Sequence, residues 1–147
     1  MGIAKRFGHI NIGVKDIDRS IEFYCGKLGL KMAFQIHNEE GKLMVTYLML
    51  PDGNFVELIL MGPAQREKED AKALSAGHIC FEVDSMEETL ALLKEAGIEI
   101  VGGPRIGRDL NHQCFITDPD GNRIEMMQLD PESPQRKNQR EAQARNV

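Results

Sequence analysis

Gly8-His9-Ile10-Asn11-Ile12-Gly13-Val14, near the start of the chain, has a close echo in Gly77-His78-Ile79-Cys80-Phe81-Glu82-Val83, sixty-nine residues later. Pro51-Asp52-Gly53-Asn54 recurs unchanged as Pro119-Asp120-Gly121-Asn122, sixty-eight residues on. Three residues after each Asn stands a glutamate, Glu57 in the first copy and Glu125 in the second. Two motifs repeated in the same order at nearly one offset mark an internal duplication. The sequence therefore reads as two modules, residues 5–61 and 75–129, within a domain spanning 1–130. A polar linker, 62–74, joins them, and a polar tail, 131–147, follows.

Each module has the same pattern of elements. Ile10, Ile12 and Val14 alternate with His9, Asn11 and Gly13, the period-two signature of a half-buried strand. An amphipathic helix comes next. In module one Asp16 or Asp18 can cap it, Ile17, Ile21, Tyr24 and Leu28 form a stripe, and Gly29 ends it. In module two Ser85 caps, Met86, Leu90, Leu93 and Ala96 face inward, and Gly97 terminates. Further strands follow, the last two joined through the Pro-Asp-Gly-Asn turn, whose glycine suits a positive φ. The expectation is an α+β fold of two tandem β-α-β-β-β modules that form a curved mixed sheet. The tail has almost no apolar face, so a helix begun at Ser133-Pro134 should fray or be disordered.

Composition narrows the function. The 147 residues are 41% hydrophobic and 28% charged, enough for one core-bearing domain. No apolar run approaches the roughly 20 residues of a membrane span. A net charge of −5 lacks the basic face that nucleic acid needs. The three cysteines, Cys25, Cys80 and Cys114, form no C-x-x-C pair and fit a reducing cytoplasm.

If the aliphatic faces pack on the helices, His9, Glu57, His78 and Glu125 all lie on the opposite sheet face. Pseudo-two-fold symmetry would then bring two imidazoles and two carboxylates together. That is a donor set for one borderline-to-hard divalent ion, with Ni²⁺, Co²⁺, Zn²⁺, Mn²⁺ and Fe²⁺ all compatible. Cys80 shares the His78 face without being needed as a ligand, and Met61 and Met127 fall on the ligand face as soft walls.

The motifs Gly8-His9-Ile10-Asn11-Ile12, Ser20-Ile21-Glu22-Phe23-Tyr24 with Leu28-Gly29-Leu30, Gly77-His78-Ile79, and Asp118-Pro119-Asp120-Gly121-Asn122-Arg123-Ile124-Glu125 resemble the vicinal oxygen chelate (glyoxalase / bleomycin resistance / dioxygenase) superfamily. The resemblance covers about residues 5–129. It implies paired β-α-β-β-β modules around a metal, and its His-Glu-His-Glu ligand set is closest to that of bacterial glyoxalase I (lactoylglutathione lyase). It further implies a metal-dependent lyase or isomerase that moves an α-proton through a metal-bound enediolate, with Glu125 as primary base and Glu57 as the other candidate. The substrate class would be a small α-hydroxy carbonyl or thioester, and the working unit a homodimer, with module pairing within or between chains. A methylmalonyl-CoA-epimerase-like epimerase and a non-catalytic metal-dependent binding or resistance protein are the alternatives.

The chain departs from glutathione-using relatives at two places. An Arg four residues after the first ligand His and an Asn four residues after the first ligand Glu are replaced by Gly13 and Met61. A poor fit for glutathione is the expectation. Arg105, Arg108 and Arg123 are the candidate clamps for a substrate carboxylate or phosphate, and His112 is a further candidate for the pocket.

Overall fold

The alternation of Ile10, Ile12 and Val14 becomes β1 (His9–Val14), with Ile12 and Val14 buried and His9 and Asn11 exposed. A computed structural model describes residues 7–60 and 78–144, and the chain divides into two units, Met1–Leu74 and Ser75–Val147. The linker expected at 62–74 and the residue Met61 lie outside the described residues.

In the first unit β1 is followed by α1 (Ile17–Ile21), β2 (Lys31–His37), β3 (Leu43–Met49) and β4 (Phe55–Leu60). The sheet order is β1-β4-β3-β2; β1 runs parallel to β4 and the other pairs are antiparallel. Asp16 caps α1, its carboxylate accepting from the Arg19 amide at 3.0 Å. The straight apolar stripe expected through Leu28 is corrected. Glu22–Lys27 winds as a π-helical turn, with the Leu28 amide donating to the Phe23 carbonyl at 3.0 Å. The wider turn brings the neighbouring rings of Phe23 and Tyr24 both into the core and leaves Leu28 half-buried. Gly29, at φ 80°, ends the segment as the sequence requires.

The second unit repeats the plan: β5 (Ile79–Glu82), α2 (Met86–Glu95), β6 (Gly102–Ile106), β7 (His112–Thr117) and β8 (Arg123–Gln128), in the order β5-β8-β7-β6. Again the first strand pairs parallel with the last. Ser85 caps α2 by accepting from the Glu88 amide at 3.2 Å, and Met86, Thr89 and Leu93 are buried. The duplicated turns are built alike. The Gly53 amide bonds to the Leu50 carbonyl and the Leu50 amide to the Asn54 carbonyl; Gly121, Asp118 and Asn122 repeat both bonds. Gly53 and Gly121 have φ of 84° and 85°. The fold is thus α+β, with two four-stranded mixed sheets and helices packed beside them. Leu48, Val56 and Leu58 in one unit, and Ile116 and Ile124 in the other, are fully buried. Each such side chain contributes roughly 1.5–3 kcal/mol by leaving water.

For the described residues of the tail, the expectation of fraying or disorder is corrected. Pro134–Ala144 forms α3. Its start is fixed by fully buried Ser133, whose hydroxyl accepts from the Arg136 amide at 3.2 Å. Arg136 pairs with Glu82 on β5. Capping and one ion pair to the sheet hold a helix that lacks the apolar stripe on which the disorder expectation was based. Among the described residues, no helix is long and apolar enough to cross a membrane.

Candidate metal centre

Glu57 sits on β4 between two strands that each send it a donor. Asn11 lies directly across on β1 and Tyr47 directly across on β3. The Asn11 amide donates to Glu57 Oε2 at 2.8 Å, and the Tyr47 hydroxyl donates to Oε1 at 2.8 Å. His9 Nε2 lies 3.4 Å from Oε2. The imidazole meets the Tyr47 ring edge-on at 5.5 Å, and Phe34 stacks on Tyr47 at 4.5 Å. Burial pulls the Glu57 carboxyl upward, but the hydrogen bonds from Asn11 and Tyr47 and the adjacent His9 outweigh it, so it titrates below the ordinary carboxylate value.

A prediction follows for the metal-free protein. A carboxyl whose folded value is depressed stabilises the fold above its unfolded value, and this stability is lost as pH falls through the folded value. Tyr47→Phe removes one donor to the ionised form. The Glu57 midpoint, read by carbon NMR of the carboxyl, should move up. The variant's stability deficit in urea titrations should be greatest near neutrality and shrink in acid. A deficit equal at both ends of the range would show that the phenol acts through packing alone.

The second unit holds the equivalent pair differently. His78 Nε2 lies 2.8 Å from Glu125 Oε2, and Glu125 is buried. Cys80 stands across from Glu125 where Asn11 faces Glu57, and Phe115 stands where Tyr47 does. The amide is thus replaced by a thiol and the phenol by a phenyl ring. Burial first, then the charge of Glu125 and a hydrogen bond to it, push the Cys80 thiol up to about 12. At neutral pH it is a protonated, weak donor to Glu125. His78 meets the Phe115 ring edge-on at 5.6 Å.

The two pairs differ in spacing: His9–Glu57 stands at the separation of neighbouring metal ligands, whereas His78–Glu125 is in direct hydrogen-bond contact. With metal–nitrogen and metal–oxygen bonds of about 2.0–2.2 Å, neighbouring ligand atoms stand roughly 3.0–3.4 Å apart; the observed separations are 3.4 Å and 2.8 Å. Among the described residues no group of three or more His, Cys, Asp or Glu is disposed around a single point, so each unit offers a pair of donors.

The other candidates separate by register. Arg123 and Gln113 share the Glu125 face, and Arg105 reaches Gln113 Oε1 at 3.4 Å. Met127 lies on that face too and is buried. His112 pairs with Gln128, whose side chain accepts from the Met86 amide at the start of α2 at 2.7 Å, so His112 is on the helix-side face, away from Glu125. Arg108 is exposed in the β6–β7 turn. Gly13 is on the His9 strand and offers no side chain. Sequence reading did not single out Tyr47, Phe115 or the role of Asn11. The repeat held the signal: Tyr47 and Phe115 each precede their glutamate by ten residues, and Asn11 and Cys80 each follow their histidine by two.

Residues 6–126 match the sequence profile of the Glyoxalase/Bleomycin resistance protein/Dioxygenase superfamily. A probable lactoylglutathione lyase of Vibrio cholerae is 34% identical over 128 residues, covering 84% of this chain and 90% of the relative. The lactoylglutathione lyase of Pseudomonas aeruginosa is 26% identical over 145 residues, covering 83% and 81%. Among solved structures, the glyoxalase family protein from Enterococcus faecalis superposes with a TM-score of 0.69 at 27% identity, over 84% of this chain and 98% of that one. An antibiotic binding protein from Streptomyces also superposes with a TM-score of 0.69, at 18% identity over 88% of this chain and all of that one, and shares the fold. Repeat, topology and profile agree: the chain belongs to the Glyoxalase/Bleomycin resistance protein/Dioxygenase superfamily.

Proposed function

We propose that the protein is a divalent-metal-dependent lyase or isomerase of the glyoxalase type, acting on a small α-hydroxy carbonyl or thioester. In this reading His9, Glu57, His78 and Glu125 share one ion. The observation that carries it is the recurrence of a His–Glu pair, with its two side chains within 3.4 Å of each other, at equivalent places of both units. When bound, the ion supplies Lewis-acid polarisation of the substrate's adjacent oxygens.

The two carboxylates then take different parts. Glu57 has both oxygens occupied by neutral donors and is held ionised and in place. That is the behaviour of a permanent ligand. Glu125 is approached by His78 and by the weak thiol donor of Cys80, with no amide or hydroxyl side chain gripping it among the described residues. In this reading it exchanges its contact with His78 for the substrate, takes the α-proton and returns it to the neighbouring carbon. A homodimer in the cytoplasm completes the reading. Its supports are the edge strand β2, which leaves Met32, Phe34 and Ile36 exposed, and the three cysteines, all free.

The test loads the protein with Ni²⁺, Co²⁺, Zn²⁺, Mn²⁺ or Fe²⁺ in turn and presents α-hydroxy carbonyls and thioesters in D₂O. Deuterium should wash into the carbon next to the carbonyl, and elemental analysis should show stoichiometric metal that Glu57→Ala and His78→Ala lose. Absence of both metal uptake and exchange across the series would overturn the reading.

A further inference from the structure

We infer that Arg105 and Arg123 form an anion-binding subsite beside the His78–Glu125 pair, taking a carboxylate or phosphate carried on a short arm of the substrate itself. The subsite is centred on Phe115. Its ring receives Arg123 Cζ at 4.0 Å from the centroid, Arg105 Cζ at 5.6 Å and the His78 ring edge-on at 5.6 Å. The same residue stands opposite Glu125 in the sheet. One buried phenyl ring is thus shared by two exposed guanidinium groups and a candidate metal ligand.

Charge makes the arrangement informative. The chain has more acids than bases, 23 Asp and Glu against 18 Lys and Arg. Yet among the described residues neither Arg105 nor Arg123 has a carboxylate partner, whereas Arg136 and Lys137 both do. The two guanidinium groups flank Phe115 along β7, Arg105 from the Gln113 end and Arg123 from the Thr117 end. A guanidinium laid over an aromatic face spends its π-surface on the ring and keeps its in-plane N–H donors for another partner. The ring also limits side-chain freedom, so less entropy is lost when an anion is gripped. Arg105 is steadied further by the Gln113 side chain at 3.4 Å. Arg108 has no ring contact among the described residues and is left out of the subsite.

The inference deepens the proposed function, resting on it for the substrate but not for the anion site. The experiment separates the two. Inorganic phosphate is titrated into the metal-free full chain and followed on the guanidinium Nε–Hε signals of Arg105 and Arg123, assigned with R105Q and R123Q. Malate and lactate, which share the α-hydroxy carboxylate and differ in a second carboxylate, are then titrated calorimetrically into the Zn²⁺-loaded protein. We expect phosphate to shift both signals and R105Q/R123Q to weaken it by at least about tenfold. Malate should bind at least about tenfold tighter than lactate, and the double variant should erase that ratio without changing lactate. R108Q, equally exposed, should change neither.

Malate favoured without a phosphate response would assign the subsite to carboxylates, and the reverse to phosphates; either supports it. Phosphate and malate binding unchanged in the folded double variant would overturn the inference. Failure of metal and both hydroxy acids to bind, with phosphate still lost in R105Q/R123Q, would overturn the proposed function and leave the anion site standing.

Discussion

Glu125→Gln is expected to reduce turnover by about 10²–10⁴-fold, the usual contribution of a positioned general base. The amide keeps the size of the carboxyl group and an oxygen that can approach His78 and Cys80, so the fold should persist. What it loses is the capacity to accept a carbon-bound proton. Solvent deuterium exchange into the substrate should fall in parallel with turnover, because both need the same abstraction. Glu57→Gln should behave differently. Asn11 and Tyr47 already donate to both Glu57 oxygens at 2.8 Å, so an amide nitrogen there would face a donor. Metal affinity should drop first, and activity should recover partly when metal is raised. Equal kinetic losses in the two variants, both insensitive to added metal, would remove the division of labour between the carboxylates.

The second large effect concerns thiol adducts. The kcat/KM for the glutathione–methylglyoxal hemithioacetal should lie at least about 10²–10⁴-fold below the ~10⁷ M⁻¹s⁻¹ of efficient enzymes. Gly13 and Met61 occupy the places where polar contacts to glutathione are expected from the resemblance. Two charge-assisted hydrogen bonds lost at roughly 1.5–3 kcal/mol each make one to two powers of ten apiece. Steady-state kinetics on the metal-reconstituted protein decides the matter. A kcat/KM near the diffusion-limited range would show that glutathione is held elsewhere, and a short-armed anionic substrate would lose its advantage.

Legibility in the sequence followed the source of each signal. The strand carrying His9, the turns at Gly53 and Gly121 and the caps at Asp16 and Ser85 rest on local chemistry, and they stand where the pattern put them. Period-two alternation likewise placed the histidines and glutamates on faces opposite the aliphatic residues. The π-helical turn at Glu22–Lys27 was not legible, because a stripe at helical spacing does not say how wide the last turn must be to seat two adjacent rings. The helix Pro134–Ala144 escaped because it is held by a buried serine and a sheet carboxylate rather than by its own apolar face. His112 could not be assigned a side before the β7–β8 register was fixed, since one residue of slip reverses a strand's faces. The donors around Glu57 come from neighbouring strands, and which residue lies across a sheet is a tertiary fact.

Tyr47 and Phe115 differ by a single oxygen atom, and with the change from Asn11 to Cys80 that atom separates two halves of one duplication. Identical halves would offer two equivalent acids, with nothing to assign one of them to fixed ligation and the other to proton transfer. In the proposed reading the half with the phenol would hold its acid and the half with the phenyl ring would release it. The turns that both halves share leave that assignment untouched; the Tyr47 and Phe115 positions would carry it.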